Sequence, residues 1–129
     1  MADNIEISWL AGLLEGEGCF LNRSDRYCSP IIQLMMTDAD VVIRAAKSMG
    51  AHKVVLCKAP TKAGKRIYRA NVYGSTALDL MRQILPFMGE RRGNKIRSIL
   101  HAASIRPLSG YPQRKPYSRG AEVVWSQLQ

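Results

Sequence analysis

Cysteine and histidine are scarce in this chain, and acidic residues are outnumbered. The three cysteines, Cys19, Cys28 and Cys57, are odd in number and include no Cys-x-x-Cys pair. That argues against a disulfide framework or a structural zinc site, and it fits a reducing, cytosol-like compartment. His52 and His101 are the only histidines. They stand far apart, in no His–Cys cluster and no His-based nuclease motif, so neither is assigned chemistry. No run of about 18 apolar residues occurs, so no transmembrane helix and no membrane partner is expected. The first eight residues are acidic and polar, unlike a secretory signal. No internal repeat is present.

What remains is a basic chain with enough apolar residues for a core. Its 129 residues fit one domain, and 47% of them are hydrophobic. Nineteen lysines and arginines against ten acids give a formal charge of +9. Such a field favours a polyanionic partner, nucleic acid first and an anionic membrane surface second, and it says nothing about fold.

Ser8 is placed to cap a helix from Trp9 to about Glu15, stopped by Gly16 and Gly18. Cys19 to Asn22 reads as a strand, Arg23 to Arg26 as a turn, and Ile31 to Met36, after Pro30, as a second strand. Thr37 starts a second helix with Asp38 and Asp40 in its first turn, where they complement the dipole, and Gly50 ends it. Strands at Val54–Leu56 and Ile67–Tyr73 follow. A third helix covers Thr76–Leu85 and a fourth Arg92–Ala103. Strands in adjacent pairs imply hairpins, so the expected class is α+β in αββαββα order: an antiparallel sheet with helices on one face. The domain is expected over residues 1–103. Residues 104–129, with Pro107, Gly110, Pro112, Pro116 and Gly120, read as a basic, irregular tail with room for a short helix near Glu122–Leu128.

The most informative stretch begins at Trp9. Six consecutive residues, Trp9 to Leu14, carry no charge or hydrogen-bonding chain beyond the indole. A helix apolar all round must be covered on more than one side. Gly12 and Gly16 stand one turn apart on one face. Glycine costs up to about 1 kcal/mol inside a helix, so two in one short helix point to close helix–helix contact. Glu15 and Glu17 fall at the C-terminus, where the dipole is already negative. Carboxylates gathered there from two copies would repel unless cations lay between them, and oxygen ligands suit Mg²⁺.

Leu10-Ala11-Gly12-Leu13-Leu14-Glu15-Gly16-Glu17-Gly18 resembles the LAGLIDADG motif position by position, with glutamates for its two aspartates. The αββαββα order resembles that family of homing endonucleases too, from about Ser8 to Ala103. The resemblance implies a single-motif subunit that forms a homodimer through Trp9, Gly12, Leu13 and Gly16. It implies an intron-encoded or otherwise mobile element's enzyme, hydrolysing phosphodiester bonds of double-stranded DNA at a long, pseudo-palindromic site. It assigns the metal to Glu17 and the Gly18 carbonyl, with Mg²⁺ as the ion and Mn²⁺ or Ca²⁺ able to substitute in binding. Glu15 is then the more structural acid. Arg91, with Arg92 as its rival, falls where the family keeps a basic residue near the scissile phosphate, and Asp38 where a side chain orders active-site water. Glutamate is one methylene longer than aspartate, which keeps open a cleavage-inactive DNA-binding regulator, or an intron-splicing maturase, on the same fold.

The strands carry a matching pattern. Residues 52–78 hold six lysines and arginines and no acid. Alternate strand residues share a face, which puts Tyr68, Ala70 and Val72 on one side and Ile67, Arg69, Asn71 and Tyr73 on the other. Ile32, Leu34 and Met36 form the buried set of the second strand, leaving Ile31, Gln33 and Met35 outward. In a major groove Arg reads guanine, and Gln or Asn reads adenine. Gln33, Arg69 and Asn71 are therefore expected at base edges, and Arg23, Arg26, Lys58, Lys65, Arg66 and Arg92 elsewhere on the DNA. Ile31 and Met35 would touch thymine methyls.

Overall fold

The computed structural model describes residues 3–24, 26–57, 65–108 and 122–126. In order they form α1 (Asn4–Glu17), β1 (Gly18–Asn22), β2 (Pro30–Met36), α2 (Ala39–Met49), β3 (Lys53–Cys57), β4 (Ile67–Tyr73), α3 (Gly74–Ile84), a 3-10 turn (Leu85–Phe87), α4 (Glu90–Ile105) and β5 (Glu122–Ser126). The strands make one antiparallel sheet in the order β1-β2-β4-β3-β5. The expected α+β class and αββαββα order hold, the expected fourth helix follows as α4, and β5 is added. The short helix allowed for near Glu122–Leu128 is instead the edge strand β5, which pairs with β3. The tail also returns to the sheet's other side, where the Cys28 N–H donates to the Pro107 carbonyl at 2.9 Å.

Alternation along the strands decides which face is covered. Phe20, Ile32, Leu34, Val54, Ala70 and Val72 join Leu10, Leu14, Val42, Met81, Ile84, Ile96 and Ile99 of the helices in one buried core. Burial of this kind is the main favourable term in folding, about 1.5–3 kcal/mol per large apolar side chain. The opposite face of the sheet carries Cys19, Gln33, Met35, Arg69, Asn71 and Tyr73. Ile31 also belongs there by parity, yet it is fully buried, flanked in register by Leu21 and Tyr73. The contact expected of it with DNA is therefore withdrawn, and Met35, 40% exposed, keeps its own.

The first helix starts earlier than its sequence suggests. Asp3 is its cap, its carboxylate accepting from the Glu6 N–H at 2.8 Å. Ser8 lies inside the helix, where its hydroxyl donates to the Asn4 carbonyl. The extra turn brings in Glu6, which accepts from Arg44 of α2 at 2.7 and 3.1 Å and from the Ser48 hydroxyl at 2.7 Å. The same guanidinium stacks on Trp9, 3.8 Å from the ring centroid. Hydrogen bonds from Arg44, then Ser48, hold the Glu6 carboxyl down to about 2 from its ordinary 4.5. A depressed carboxyl stabilises the fold above its unfolded value and loses that contribution as pH falls through the folded one. Glu6→Gln should therefore melt below the wild type near neutral pH, and the gap should close as pH falls from about 4.5 towards about 2. Thermal melts across that window check this, and a gap independent of pH would contradict it.

Candidate metal site and nucleic-acid interface

At the junction of α1 and β1 the two acids of the motif part company. Glu15 reaches across to the start of α4. Its carboxylate accepts the Gly89 N–H and lies 3.3 Å from Nε of Arg92. Arg92 also donates to the carbonyls of Glu15 and Gly18. An acid at the end of α1 opposes that helix's dipole, but the same acid stands at the N-terminus of α4, where a negative charge is favoured. Arg92 supplies the complementary cation for the end of α1. Glu17 has no such arrangement. It is exposed and makes no hydrogen bond or ion pair with the described residues.

This geometry bears on two of the expected site residues. Arg92 is turned into the α1–α4 junction, 17% exposed, where it donates to the carbonyls of Glu15 and Gly18, which leaves Arg91 the more available of the two. The Gly18 carbonyl accepts from the Arg92 guanidinium, whose positive charge would compete with a metal ion there. Gly18 is required for another reason: a Cβ there would lie 2.8 Å from the Leu14 carbonyl oxygen. Glycine thus lets the chain leave α1 directly into β1. Arg91, the residue before Arg92 on α4, is exposed, with no partner among the described residues. Asp38 caps α2 through its backbone alone, its exposed carboxylate making no cap bond. It follows the end of β2, near the level where Gly18 pairs with Leu34. Glu17 and Asp38 thus lie towards the same end of the sheet, where β1 begins and β2 ends, and Arg91 is on the first turn of α4, whose start Glu15 contacts.

The fit to a divalent ion rests on donor chemistry. Glu17 is an uncompensated carboxylate with water access, suited to a hard cation. Among the described residues no three His, Cys, Asp or Glu side chains come together. A site centred on Glu17 would therefore use few protein carboxylates, as Mg²⁺ sites commonly do.

The helix face opposite the core is bare. Ile5, Trp9, Gly12 and Gly16 follow one another along that side at helical spacing. Ile5 is 80% exposed, and a side chain built on Gly12 or Gly16 would meet nothing within 4 Å. Leu13 and Trp9 are half-buried at its margin, Trp9 beneath Arg44. Nothing in the described packing of the subunit calls for glycine at these two positions.

On the open face of the sheet Gln33 stands opposite Asn71, and Met35 opposite Arg69. Asn71 donates to the Tyr73 hydroxyl at 3.0 Å, while its carbonyl oxygen is buried with no hydrogen-bond partner among the described residues. Lys53 shares this face, a placement that the sequence reading misses and that strand parity within β3 could have supplied. Burial, then the neighbouring Arg69, lowers its pKa. Arg23 and Arg26 are exposed in the β1–β2 loop at one end of the sheet, and Lys65 and Arg66 precede β4 at the other. Lys58 lies outside the described residues. No helix among the described residues is long and apolar enough to cross a membrane.

A sheet with one basic, open face, backed by helices that deliver a paired-glycine helix and an unneutralised acid to its end, is the LAGLIDADG homing-endonuclease fold, and this chain has it. The similar solved structures include the homing endonuclease I-CvuI bound to a DNA target in the presence of Mg, with 18% identity and a TM-score of 0.53 over 75% of this chain and 64% of that one. They also include the group I intron-encoded I-CeuI with DNA, with 12% identity and a TM-score of 0.55 over 78% of this chain and 55% of that one. The archaeal intron-encoded I-Vdi141I with DNA gives 12% and 0.50 over 88% and 91%. The chain thus spans under two thirds of the first of these. No protein-family model and no curated protein matches its sequence.

Proposed function

We propose that the chain is the subunit of a homodimeric, site-specific DNA endonuclease that hydrolyses phosphodiester bonds in both strands with divalent metal ions. The observation that carries this reading is the contrast between the two motif acids: Glu15 is neutralised within the fold, and Glu17 stands exposed and uncompensated beside it. Pairing of two α1 helices through Gly12 and Gly16 brings two copies of Glu17 to one axis. Glu17 from each copy would hold a divalent ion there, which would supply an activated water and stabilise the leaving oxygen. Arg91 stabilises charge developing on the phosphate, and Asp38 orients water at the same end of the sheet. Two subunits related by a two-fold axis meet two similar half-sites, hence a long pseudo-palindromic target.

The sheet's open face is the reader. The five residues of β1 rise about 17 Å, roughly five base-pair steps at about 3.4 Å each, between the α1 junction and the loop carrying Arg23 and Arg26. Gln33, Arg69 and Asn71 lie between these ends and take base edges, while Lys65, Arg66, Arg23 and Arg26 take phosphates. The deciding experiment exposes a random duplex library to the protein in Mg²⁺ and sequences cleaved ends, with a parallel binding selection in Ca²⁺. Cleavage at a two-fold motif supports the enzyme, whereas selective binding without cleavage identifies a DNA-binding regulator. On the recovered site, Arg69→Ala should relax preference at one position per half-site, by about 1–3 kcal/mol. Lys65→Ala should weaken all sequences alike and flatten the salt dependence. Equal effects of both on every sequence would contradict the division of roles.

A further inference from the structure

We infer that Glu15 and Arg92 form a positioning clamp that sets Arg91 against Glu17. Four contacts tie the end of α1 to the start of α4: Glu15 carboxylate to Gly89 N–H, Glu15 carboxylate to Arg92, and Arg92 to the carbonyls of Glu15 and Gly18. These groups flank the two residues that the proposed reaction needs. Glu17 lies between the two carbonyls that Arg92 holds, at positions 15 and 18. Arg91 precedes Arg92 on the first turn of α4. Any slide of α4 along α1 would change the separation of Glu17 and Arg91 and break all four contacts together. Gly89 is part of the fit, because a Cβ there would lie 3.1 Å from the Glu15 carboxylate oxygen.

The clamp uses the geometry of arginine and not only its charge. One planar guanidinium spans two carbonyls and a carboxylate. A lysine carries the same charge as a point on a flexible stem and cannot hold that fork. Neither Glu15 nor Arg92 touches DNA or a reacting atom in this scheme. Their influence runs through Glu17 and Arg91.

The inference rests on the proposed endonuclease reading, and its test separates the two. Arg92→Lys and Glu15→Gln are made in the full chain, alone and combined with Arg91→Ala, and compared with the wild type at a temperature well below every melting point. Single-turnover cleavage should fall roughly 10–100-fold in each clamp variant, the scale of lost outer partners around a metal site. DNA affinity in Ca²⁺ should stay within about threefold, because the open face of the sheet is untouched. Ca²⁺ titration of the DNA complex, which needs no turnover, should show weaker ion binding in Arg92→Lys. In the Arg91→Ala background, Glu15→Gln should cost far less than in the wild type, since residues acting through one another are not additive. Glu15→Gln leaves the backbone contacts of Arg92 available, so it serves if Arg92→Lys does not fold. Unchanged cleavage and Ca²⁺ affinity, fully additive losses, or a parallel loss of DNA binding and melting temperature would each overturn the clamp. A wild type that neither cleaves DNA nor takes up Ca²⁺ would overturn the endonuclease reading itself.

Discussion

Glu17→Gln is expected to abolish cleavage while leaving DNA binding intact. The amide keeps the size of the side chain, and no contact within the subunit is lost, because Glu17 makes none among the described residues. What disappears is a charged oxygen at the end of α1, the proposed metal ligand. Cleavage should fall about 10³-fold or more, comparable to or beyond the removal of a principal electrostatic contributor in other active sites. Affinity without metal should rise slightly, since a negative charge near the phosphates has gone. The melting temperature should stay near that of the wild type. Nicking of a cognate plasmid in Mg²⁺ and gel-shift binding in Ca²⁺ give the readout. Wild-type cutting by Glu17→Gln would remove this residue from the metal site, whatever becomes of the fold. Glu15→Gln should lose cleavage less severely and should lose stability as well, because its carboxylate has protein partners.

The difference between these two acids shows where the sequence is legible. Both glutamates fall at the wrong end of α1 for the dipole, and that anomaly is visible in the residue order. Its resolution is different for each and needs the tertiary fold. Glu15 belongs electrostatically to α4, because the chain folds the Gly89 amide onto its carboxylate from 74 residues downstream. Glu17 finds no partner among the described residues of the subunit, and its charge is left for something outside it.

Strand alternation is legible for the same reason that it fails at Ile31. Parity assigns Gln33, Met35, Arg69 and Asn71 to the open face correctly, because a pleated strand leaves no other choice. Parity does not say how closely neighbours crowd, and Ile31 is buried on the face that parity calls open. The start of α1 is ambiguous in the sequence because two caps compete. Asp3 and Ser8 are both capping residue types, and the choice between them is tied to the bonds of Glu6 with Arg44 and Ser48, which join residues about forty positions apart. Strand β5 is hidden because proline and glycine dominate the segment before it, and its hydrogen bonds go to β3, far upstream.

Gly12→Leu should make the subunit more stable and the dimer weaker, two effects of opposite sign from one substitution. Within the subunit a side chain at position 12 meets nothing within 4 Å, so no clash is expected. Replacing glycine inside a helix should add up to about 1 kcal/mol of stability. Across the two-fold axis of the proposed dimer the same side chain would enter the closest part of the contact, and symmetry would place it there twice. Overpacking costs about 1–3 kcal/mol per site, so the pair should lose about 2–6 kcal/mol, between roughly thirtyfold and twenty-thousandfold in Kd. Sedimentation equilibrium should find a dimer for the wild type and a monomer for Gly12→Leu at the same concentration. Urea unfolding under monomeric conditions should show the variant to be the more stable chain. Cleavage of both strands should fail together with dimerisation, since each subunit alone carries one Glu17. Gly16→Leu should behave alike, one turn nearer the metal. A wild type that stays monomeric at every concentration would remove the dimer. A Gly12→Leu subunit destabilised in its monomeric state would show that the bare face of α1 is occupied from within the chain.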